Sequence, residues 1–267
     1  MCLIIHKPVG ATVPGDLIRS AWEDNPDGAG IMYRASDGLK VYKVMPSDWA
    51  NPAAHIEKVL SELTDVEAGI HFRWRTHGPV TRENAHPFLI PVTGGYVMHN
   101  GVLSAQLLGP GYETVRNAMS DTAFYTITTL SGAPGADDVS FWEIVGADVG
   151  SYNKMLIMDA AGKFLRVNEK QWAEYKGLML SNEMSCPEFY VGTGAHHWRD
   201  YYSAANSRSY PTVSSSSTTT KGSLGEAMVL YVGKDGKDLK LSRRDRKILN
   251  ACLRANSWGP MKRLDKE

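Results

Sequence analysis

Polar and positively charged side chains are concentrated in residues 71–88, HFRWRTHGPVTRENAHPF, which hold three histidines, three arginines and a tryptophan. The histidine spacing matches no zinc motif such as HExxH, and arginines on the same face of a strand would repel a metal ion. Contact with nucleic acid has weak support, because Trp74 is the one apparent residue there for stacking on a base. A third interpretation is a pocket for an anionic, amide-bearing ligand, in which arginine binds a carboxylate.

A pocket of this third kind needs a nucleophile, and the candidate is Cys2. Initiator methionine is normally removed when the next residue is small, which would leave Cys2 with a thiol and a free α-amino group. Such an amine titrates near pH ~7.7–8.0, so it can accept the thiol proton, and one residue then supplies both nucleophile and base. A cysteine at position 2 can also be merely a small apolar residue.

The elements that would position these residues alternate between strand and helix patterns. Strand patterns cover 2–6, 31–34, 39–44, 69–75, 95–101 and 177–183, with a further hairpin over 154–167. Helical spacing follows Pro14, begins again at Pro52 and covers 121–130. This pattern favours an α+β domain with helices outside and sheets inside.

The composition bounds the class of protein. The 267 residues can bury one sizeable core, and a formal net charge of zero favours neither nucleic acid nor a membrane as the main partner. The three cysteines are too few and too scattered for a disulfide framework or a cysteine-based zinc site. No apolar run approaches the ~20 residues needed to span a bilayer, and the N-terminus lacks the features of a signal peptide. We predict a soluble, cytoplasmic protein of a reducing compartment.

The C-terminal part has a different composition. Residues 203–223 are rich in Ser and Thr and predict a linker between a domain at 2–202 and a segment at 224–267. From Lys234 to the end there are 11 Lys or Arg against 5 Asp or Glu. Ser242 begins a capping-box pattern that predicts a basic amphipathic helix. Such a helix most often packs on the body of its protein, and docking to a synthase partner or to nucleic acid is the less favoured alternative.

Five short motifs occur in one order along the chain: MCLI at the start, RWRTHG at 73–78, NAHPF at 84–88, MHNG at 98–101 and SDT at 120–122. Each is common by itself, but the combination, with Cys at position 2, resembles the class II glutamine amidotransferase family of N-terminal-nucleophile hydrolases. The resemblance covers roughly residues 2–190. It implies a four-layer αββα sandwich that hydrolyses glutamine without a metal or an organic cofactor.

The resemblance also implies a role for each matching residue. Cys2 would attack the side-chain amide of L-glutamine, and the Asn100 side-chain amide and Gly101 N–H would form the oxyanion hole. Arg73 would bind the α-carboxylate of the substrate, and Asp121 would accept hydrogen bonds from its ammonium group. The residues expected to wall and orient the pocket are Trp74, Thr76, His77 and His86.

Each of these residues has a purely structural alternative. Arg73 could be a surface ion-pair partner, either histidine could be a satisfied interior residue, and Asp121 could cap a helix. Asn100–Gly101 is also a common turn dipeptide. One departure from the family is Arg75, which stands where many relatives have a small residue and predicts a narrower or more basic entrance.

No acceptor-using synthase is recognisable downstream. The loop SGAPGADD at 131–138 lacks the serine of an ATP-binding SGGxDS loop, and neither a GxxxxGK motif nor a ribose-phosphate signature occurs. We therefore expect a glutaminase that supplies ammonia to a separate synthase subunit, with neither a membrane nor nucleic acid as a partner. Two alternatives stay open: hydrolysis of the γ-glutamyl amide of a larger molecule, and a catalytically idle binding domain.

Overall fold

The structure is a computed structural model that describes residues 1–190. The predicted linker at 203–223, the segment at 224–267 and the predicted domain end at 202 lie outside these residues. The strands are β1 (Leu3–Lys7), β2 (Ala29–Ala35), β3 (Gly38–Val44), β4 (Ala68–Phe72), β5 (Phe88–Leu89), β6 (Tyr96–Asn100), β7 (Lys154–Met158), β8 (Phe164–Val167), β9 (Ala173–Tyr175) and β10 (Leu178–Leu180). The α-helices are α1 (Gly15–Asp24), α2 (Pro52–Ser61), α3 (Ala105–Leu108), α4 (Pro110–Glu113), α5 (Asp121–Thr128) and α6 (Val139–Val149). Short 3-10 turns lie at Arg82–Asn84, Glu169–Gln171 and Pro187–Tyr190.

The first sheet has the strand order β3-β2-β4-β1-β10-β9, with antiparallel neighbours throughout. Side chains alternate between its two faces, so Leu3 and Ile5 pack under α1 and α2 while Ile4 faces the other sheet. Helix α2 begins with a proline in its first turn, and the Asn51 side chain caps it by accepting a hydrogen bond from Ala54 N. This helical layer closes one side of the molecule.

The second sheet has the order β5-β6-β7-β8 and is also antiparallel. Its outer face packs under α5 and α6, where Val97 and Ile157 share one core with Phe124 and Trp142. Its inner face meets the first sheet through methionines and aliphatic side chains. The layers are therefore helix, sheet, sheet, helix, and the predicted αββα class is confirmed.

The two sheets approach closely at glycines on the inner face of the first sheet. A Cβ on Gly69 would lie 2.6 Å from Leu156 Cδ2 of the second sheet. A Cβ on Gly30 would collide with the carbonyl oxygen of His86. Any side chain at either position would push the sheets apart beside the residues described below.

Most predicted elements are present, with shifted ends. Strand β4 ends at Phe72 rather than at residue 75, so His71 and Arg73 are buried while Arg75 turns out into solvent. Helices α3, α4 and α6 and the short strands β5 and β9 were not predicted. Within residues 1–190, no helix is long and apolar enough to cross a membrane.

Candidate active site

Cys2 lies immediately before β1. At this edge of the sheet β1 begins and the antiparallel β4 ends, with Leu3 opposite Phe72. Its sulfur is 3.3 Å from Trp74 O, to which the thiol donates, and 3.3 Å from Trp74 N, which donates to the sulfur. The carbonyl oxygen of Cys2 accepts a hydrogen bond of 2.8 Å from Asn182 Nδ2. The position of the nucleophile candidate is thus set mainly by backbone groups.

Several groups influence the ionisation of this thiol in opposite directions. Burial raises the pKa of Cys2, while the Trp74 backbone, the ammonium group of Met1 and the Arg73 guanidinium act to lower it. The carboxylate of Asp121 acts to raise the same pKa, and the net shift is upward. The thiol is therefore protonated at neutral pH, so a nearby base must remove its proton before it can attack a substrate.

Arg73 follows β4 and is 3% exposed. Its guanidinium donates two hydrogen bonds of 2.9 Å to backbone oxygens, one from Nη2 to His77 O and one from Nη1 to Pro79 O. Desolvation lowers its pKa, although such a group stays charged at neutral pH. Within residues 1–190, Arg73 forms no ion pair with a carboxylate. It is a buried cation whose contacts are neutral carbonyl groups.

The loop after Arg73 carries the residues predicted to wall the pocket. Trp74 is half-buried, and Thr76 is exposed. His77 Nδ1 lies 3.3 Å from Thr76 Oγ1 and 3.8 Å from Asp121 Oδ2. Arg75 is exposed, and its backbone N–H donates to Asp27 Oδ2 at 2.8 Å. Asp27 therefore ties this loop to the turn that precedes β2.

His86 lies deeper in the molecule than the other residues predicted to line the pocket. Its ring is 5% exposed and packs on His71 at a centroid distance of 4.1 Å. Neither of its ring nitrogens has a hydrogen-bond partner among the described residues. Burial lowers the pKa of His86 well below its usual value and lowers that of His71 to about 3, so both rings are neutral.

The second sheet contributes Asn100 and Gly101 at the end of β6. Asn100 is 2% exposed, and its Nδ2 donates to Ser181 Oγ at 2.9 Å. Its Oδ1 is buried and has no partner within the described part of the chain. Gly101 has a φ of 147°, and a Cβ there would collide with Asn153 Oδ1. Glycine is required at this position on both grounds.

Asp121 is the first residue of α5, and the preceding Ser120 caps the helix through Ala123 N. The carboxylate is 4% exposed and accepts hydrogen bonds from Leu103 N at 2.9 Å and Thr122 N at 2.8 Å. Apart from His77 at 3.8 Å, no cationic side chain within residues 1–190 pairs with it. Asp121 is therefore a buried anion held by backbone N–H groups, and it is not the N-cap of its helix.

A histidine on the outer face of the second sheet supports this helix start. His99 Nδ1 lies 2.7 Å from Thr122 Oγ1, and Nε2 lies 2.8 Å from Asn153 Oδ1. Asn153 uses its own N–H to bind Val149 O, so its oxygen accepts from His99 Nε2 and Nδ1 accepts from the threonine hydroxyl. Burial lowers the pKa of His99, which keeps this neutral form at neutral pH.

The structure thus brings part of the predicted set together. Cys2, Arg73 and Asp121 act on one another electrostatically, and Trp74 and His77 contact them directly. Asn100 and Gly101 approach from the second sheet and are connected to β1 through Ser181. Two members stand apart from this group: Thr76 is exposed and His86 is buried between the sheets.

Sequence reasoning assigned no role to several residues that hold this arrangement, namely His99, Asn153, Ser181 and Asn182. Two signals were available: His99 lies within the MHNG motif at 98–101, and the polar SNE ends the predicted strand at 177–183. The described residues contain no group of three or more His, Cys, Asp or Glu placed to hold a metal ion. A separate groove of about 370 Å³, between α6 and residues 165–171, shares no side chain with the site.

No family model matches the chain, whereas curated proteins do. It is 32% identical over 104 residues to the glutamine–fructose-6-phosphate aminotransferase (isomerizing) of Bacillus thuringiensis subsp. konkukian, a match to 38% of this chain and 16% of that protein. It is 38% identical over 96 residues to the Streptomyces coelicolor protein of the same name, a match to 33% of this chain and 15% of that protein. The matches thus span about one sixth of the length of these relatives.

Solved structures of lower similarity were also found. Glutamine phosphoribosylpyrophosphate amidotransferase from B. subtilis has 15% identity and a TM-score of 0.45, covering 73% of this chain and 44% of that one. A glutamine aminotransferase class-II domain protein from Silicibacter pomeroyi has 12% identity and a TM-score of 0.30, covering 60% and 73%. The curated matches and the ordered motifs of residues 1–122 both support the resemblance of this chain to the class II glutamine amidotransferase family.

Proposed function

We propose that this chain hydrolyses the side-chain amide of L-glutamine, with Cys2 as the nucleophile after Met1 is removed. One observation carries the proposal. Arg73 and Asp121 are both buried, both act on the Cys2 thiol, and no ion pair joins the two. Buried charges are costly when unpaired, and an α-amino acid supplies a carboxylate for one and an ammonium group for the other.

The reaction follows from the roles of the residues around the thiol. The free α-amine of Cys2 takes the thiol proton, and the sulfur attacks the amide carbon to form a tetrahedral adduct. The Asn100 amide and the Gly101 N–H stabilise the negative oxygen of this adduct. Protonation of the nitrogen and cleavage of the C–N bond release ammonia and leave a γ-glutamyl thioester. Water then cleaves the thioester to give glutamate and the free thiol.

Substrate binding is assigned to the remaining residues. The Arg73 guanidinium donates one hydrogen bond from each terminal nitrogen to the backbone, which leaves N–H groups for the α-carboxylate. Asp121 binds the ammonium group. The residues proposed to line and orient the pocket are Trp74, Thr76, His77 and His86. For His86, which is buried on His71, this role acts through packing.

We further propose that the glutaminase domain spans 2–202 and that its ammonia passes to a separate acceptor enzyme in the cytoplasm. The support is compositional: the Ser- and Thr-rich run at 203–223 separates this domain from the basic segment at 224–267, and no synthase motif is recognised in either. Affinity capture with the full chain tests the second part. Rapid, unregulated ammonia release with no captured partner would argue against a dedicated acceptor.

The test of the central proposal is glutamate release from L-glutamine by the full chain, after mass spectrometry has established that Met1 is absent. Cys2→Ala should reduce the rate to the uncatalysed background, because the nucleophile is lost. Cys186→Ala is the matched control, since Cys186 is a buried free thiol that contacts none of the proposed site residues. Activity that survives Cys2→Ala would contradict the mechanism. A processed chain that cleaves γ-glutamyl anilides but not glutamine would favour a larger γ-glutamyl substrate.

A further inference from the structure

Ser181 connects the two sheets at the candidate active site through a single hydroxyl group. It directly follows β10, and its side chain is fully buried. Its Oγ accepts one hydrogen bond from Ile4 N at 2.8 Å and another from Asn100 Nδ2 at 2.9 Å. Ile4 belongs to the strand that follows the nucleophile, whereas Asn100 ends a strand of the other sheet. The hydroxyl therefore fixes the distance between β1, which follows Cys2, and the end of β6 at Asn100.

The next residue, Asn182, holds the nucleophile itself. Its Nδ2 donates to the carbonyl oxygen of Cys2 at 2.8 Å. Its Oδ1 accepts from Met184 N at 3.0 Å, so the amide of Asn182 is fixed at both ends. Two consecutive side chains thus contact both halves of the site.

The Asn100 amide depends on this contact for its orientation. Its bond to Ser181 uses one of the two Nδ2 hydrogens, and Oδ1 has no partner among the described residues. Without Ser181 Oγ, the amide plane could rotate and turn its oxygen towards the developing negative charge. Oxyanion stabilisation requires a donor held at about 2.7–3.1 Å from that charge, so such a rotation would slow the chemical step.

We infer that Ser181 and Asn182 are positioning residues. Ser181 orients the Asn100 amide, and Asn182 holds the backbone carbonyl of Cys2 in place. The inference rests on the proposed glutaminase function and adds two residues to it. Neither side chain needs to touch the substrate, because each acts through a neighbour. The expected signature is a fall in kcat with little change in KM, since substrate binding is left to other residues.

A double-mutant cycle tests the inference. Ser181→Ala should lower kcat about tenfold or more while KM for glutamine changes by less than about threefold. In an Asn100→Ala background, the same substitution should cost less than about threefold, because the group it orients has been removed. Equal losses in both backgrounds, or a rise in KM at constant kcat, would overturn the inference.

Two further variants separate positioning from general damage. Ser185→Ala is the control, because Ser185 is another buried serine whose hydroxyl accepts from Asn25 Nδ2 rather than from a site residue. It should keep the parent kcat. Asn182→Ala removes the bond to Cys2 O from a partly buried side chain, and it should lower kcat by a few-fold even if Ser181→Ala does not fold. An active parent whose Asn182→Ala variant is unchanged would overturn this inference alone. A fully processed parent that releases no glutamate would overturn the proposed function with it.

Discussion

The two sheets hold their parts of the candidate site in different ways. On the first sheet, the Cys2 sulfur and the Arg73 guanidinium are bound by the main chain of Trp74, His77 and Pro79. On the second sheet, Asn100 is held by a side chain, and the start of α5 is supported by the His99 network. Main-chain contacts survive substitution of the residues that make them, whereas side-chain contacts do not. Apart from Asn182, whose side chain binds the Cys2 carbonyl, the surroundings of the proposed nucleophile should therefore tolerate changes better than the half proposed to stabilise charge.

The largest expected effect lies on the second sheet, at Gly101. Gly101→Ala forces a Cβ onto Asn153 Oδ1 at a φ of 147°, so the backbone N–H proposed for the oxyanion hole must move. We expect a loss of about 100-fold or more in kcat and about 2–3 kcal/mol in the free energy of unfolding. Glutamate release and urea denaturation measure the two effects.

Gly94→Ala is the matched control for Gly101→Ala. Gly94 also has a positive φ, of 85°, but nothing lies within 4 Å of its Cβ position. It should lose only about 1 kcal/mol of stability and keep the parent kcat. Similar kcat values for the two variants would contradict the assignment of the Gly101 N–H to the oxyanion hole.

The next-largest effect is expected at the two buried charges, Arg73 and Asp121. Arg73→Lys removes the planar guanidinium proposed to bind the substrate carboxylate, and Asp121→Asn removes the charge proposed to bind its ammonium group. Each should raise KM for glutamine by about 10- to 100-fold, since a hydrogen bond to a charged group contributes about 1.5–3 kcal/mol. Steady-state kinetics measure this, with Arg82→Lys as the control because Arg82 pairs with Asp48 outside the site. A variant whose KM stays at the parent value would remove that residue from the substrate-binding set.

A smaller effect concerns the neutral histidines inside the molecule. Burial lowers the pKa of His71 to about 3 and also lowers those of His86 and His99, so the folded state binds fewer protons than the unfolded state below pH ~6.5. Their contribution to stability is complete above that pH and is lost as pH falls towards the folded-state values. His71, whose pKa is lowered to about 3, should add about 1.4 kcal/mol per pH unit to the slope between pH 6 and 5. Urea denaturation across this range should give a shallower slope for His71→Gln than for the parent, and equal slopes would contradict the prediction.

The smallest expected effect is at the exposed Arg75. Its backbone is fixed by Asp27, but the side chain is not needed for free glutamine under the proposed function. Arg75→Ala should change kcat/KM for glutamine by less than about threefold. A much larger loss for an anionic γ-glutamyl amide than for glutamine would show that this residue selects a larger substrate.

Local sequence patterns predicted the elements whose stability is local. The β2–β3 and β7–β8 hairpins combine β-branched or aliphatic runs with a glycine-containing turn, and α2 has its proline and cap. Helix α6 was missed because Gly146 interrupts it and apolar Val139 and Ile144 are exposed, which weakens its amphipathic pattern. Strands β5 and β9 have only two and three residues, too few to show a period.

The residues of the site divide in the same way, into those that a local sequence pattern indicates and those that it does not. The motifs around Cys2, Arg73 and Asp121 are contiguous in sequence, so a resemblance could indicate them. Contacts such as Ser181 with Asn100, 81 residues apart, or His99 with Asn153, 54 residues apart, arise only when the sheets pack. The end of β4 at Phe72 also depends on tertiary contacts. Arg73 donates its backbone N–H to Gly28 O and accepts from Asp27 N, and the chain then turns so that Trp74 N reaches the Cys2 thiol.

The position of Cys2 just before β1 bears on how the protein is matured. Met1 is 47% exposed, so a processing peptidase can reach it on the folded chain. While the Met1–Cys2 peptide bond is intact, the nitrogen of Cys2 is an amide without basicity, and under the proposed mechanism the chain stays inactive until that bond is cut. A purification tag fused before Met1 would yield a folded, glutamine-binding and inactive protein.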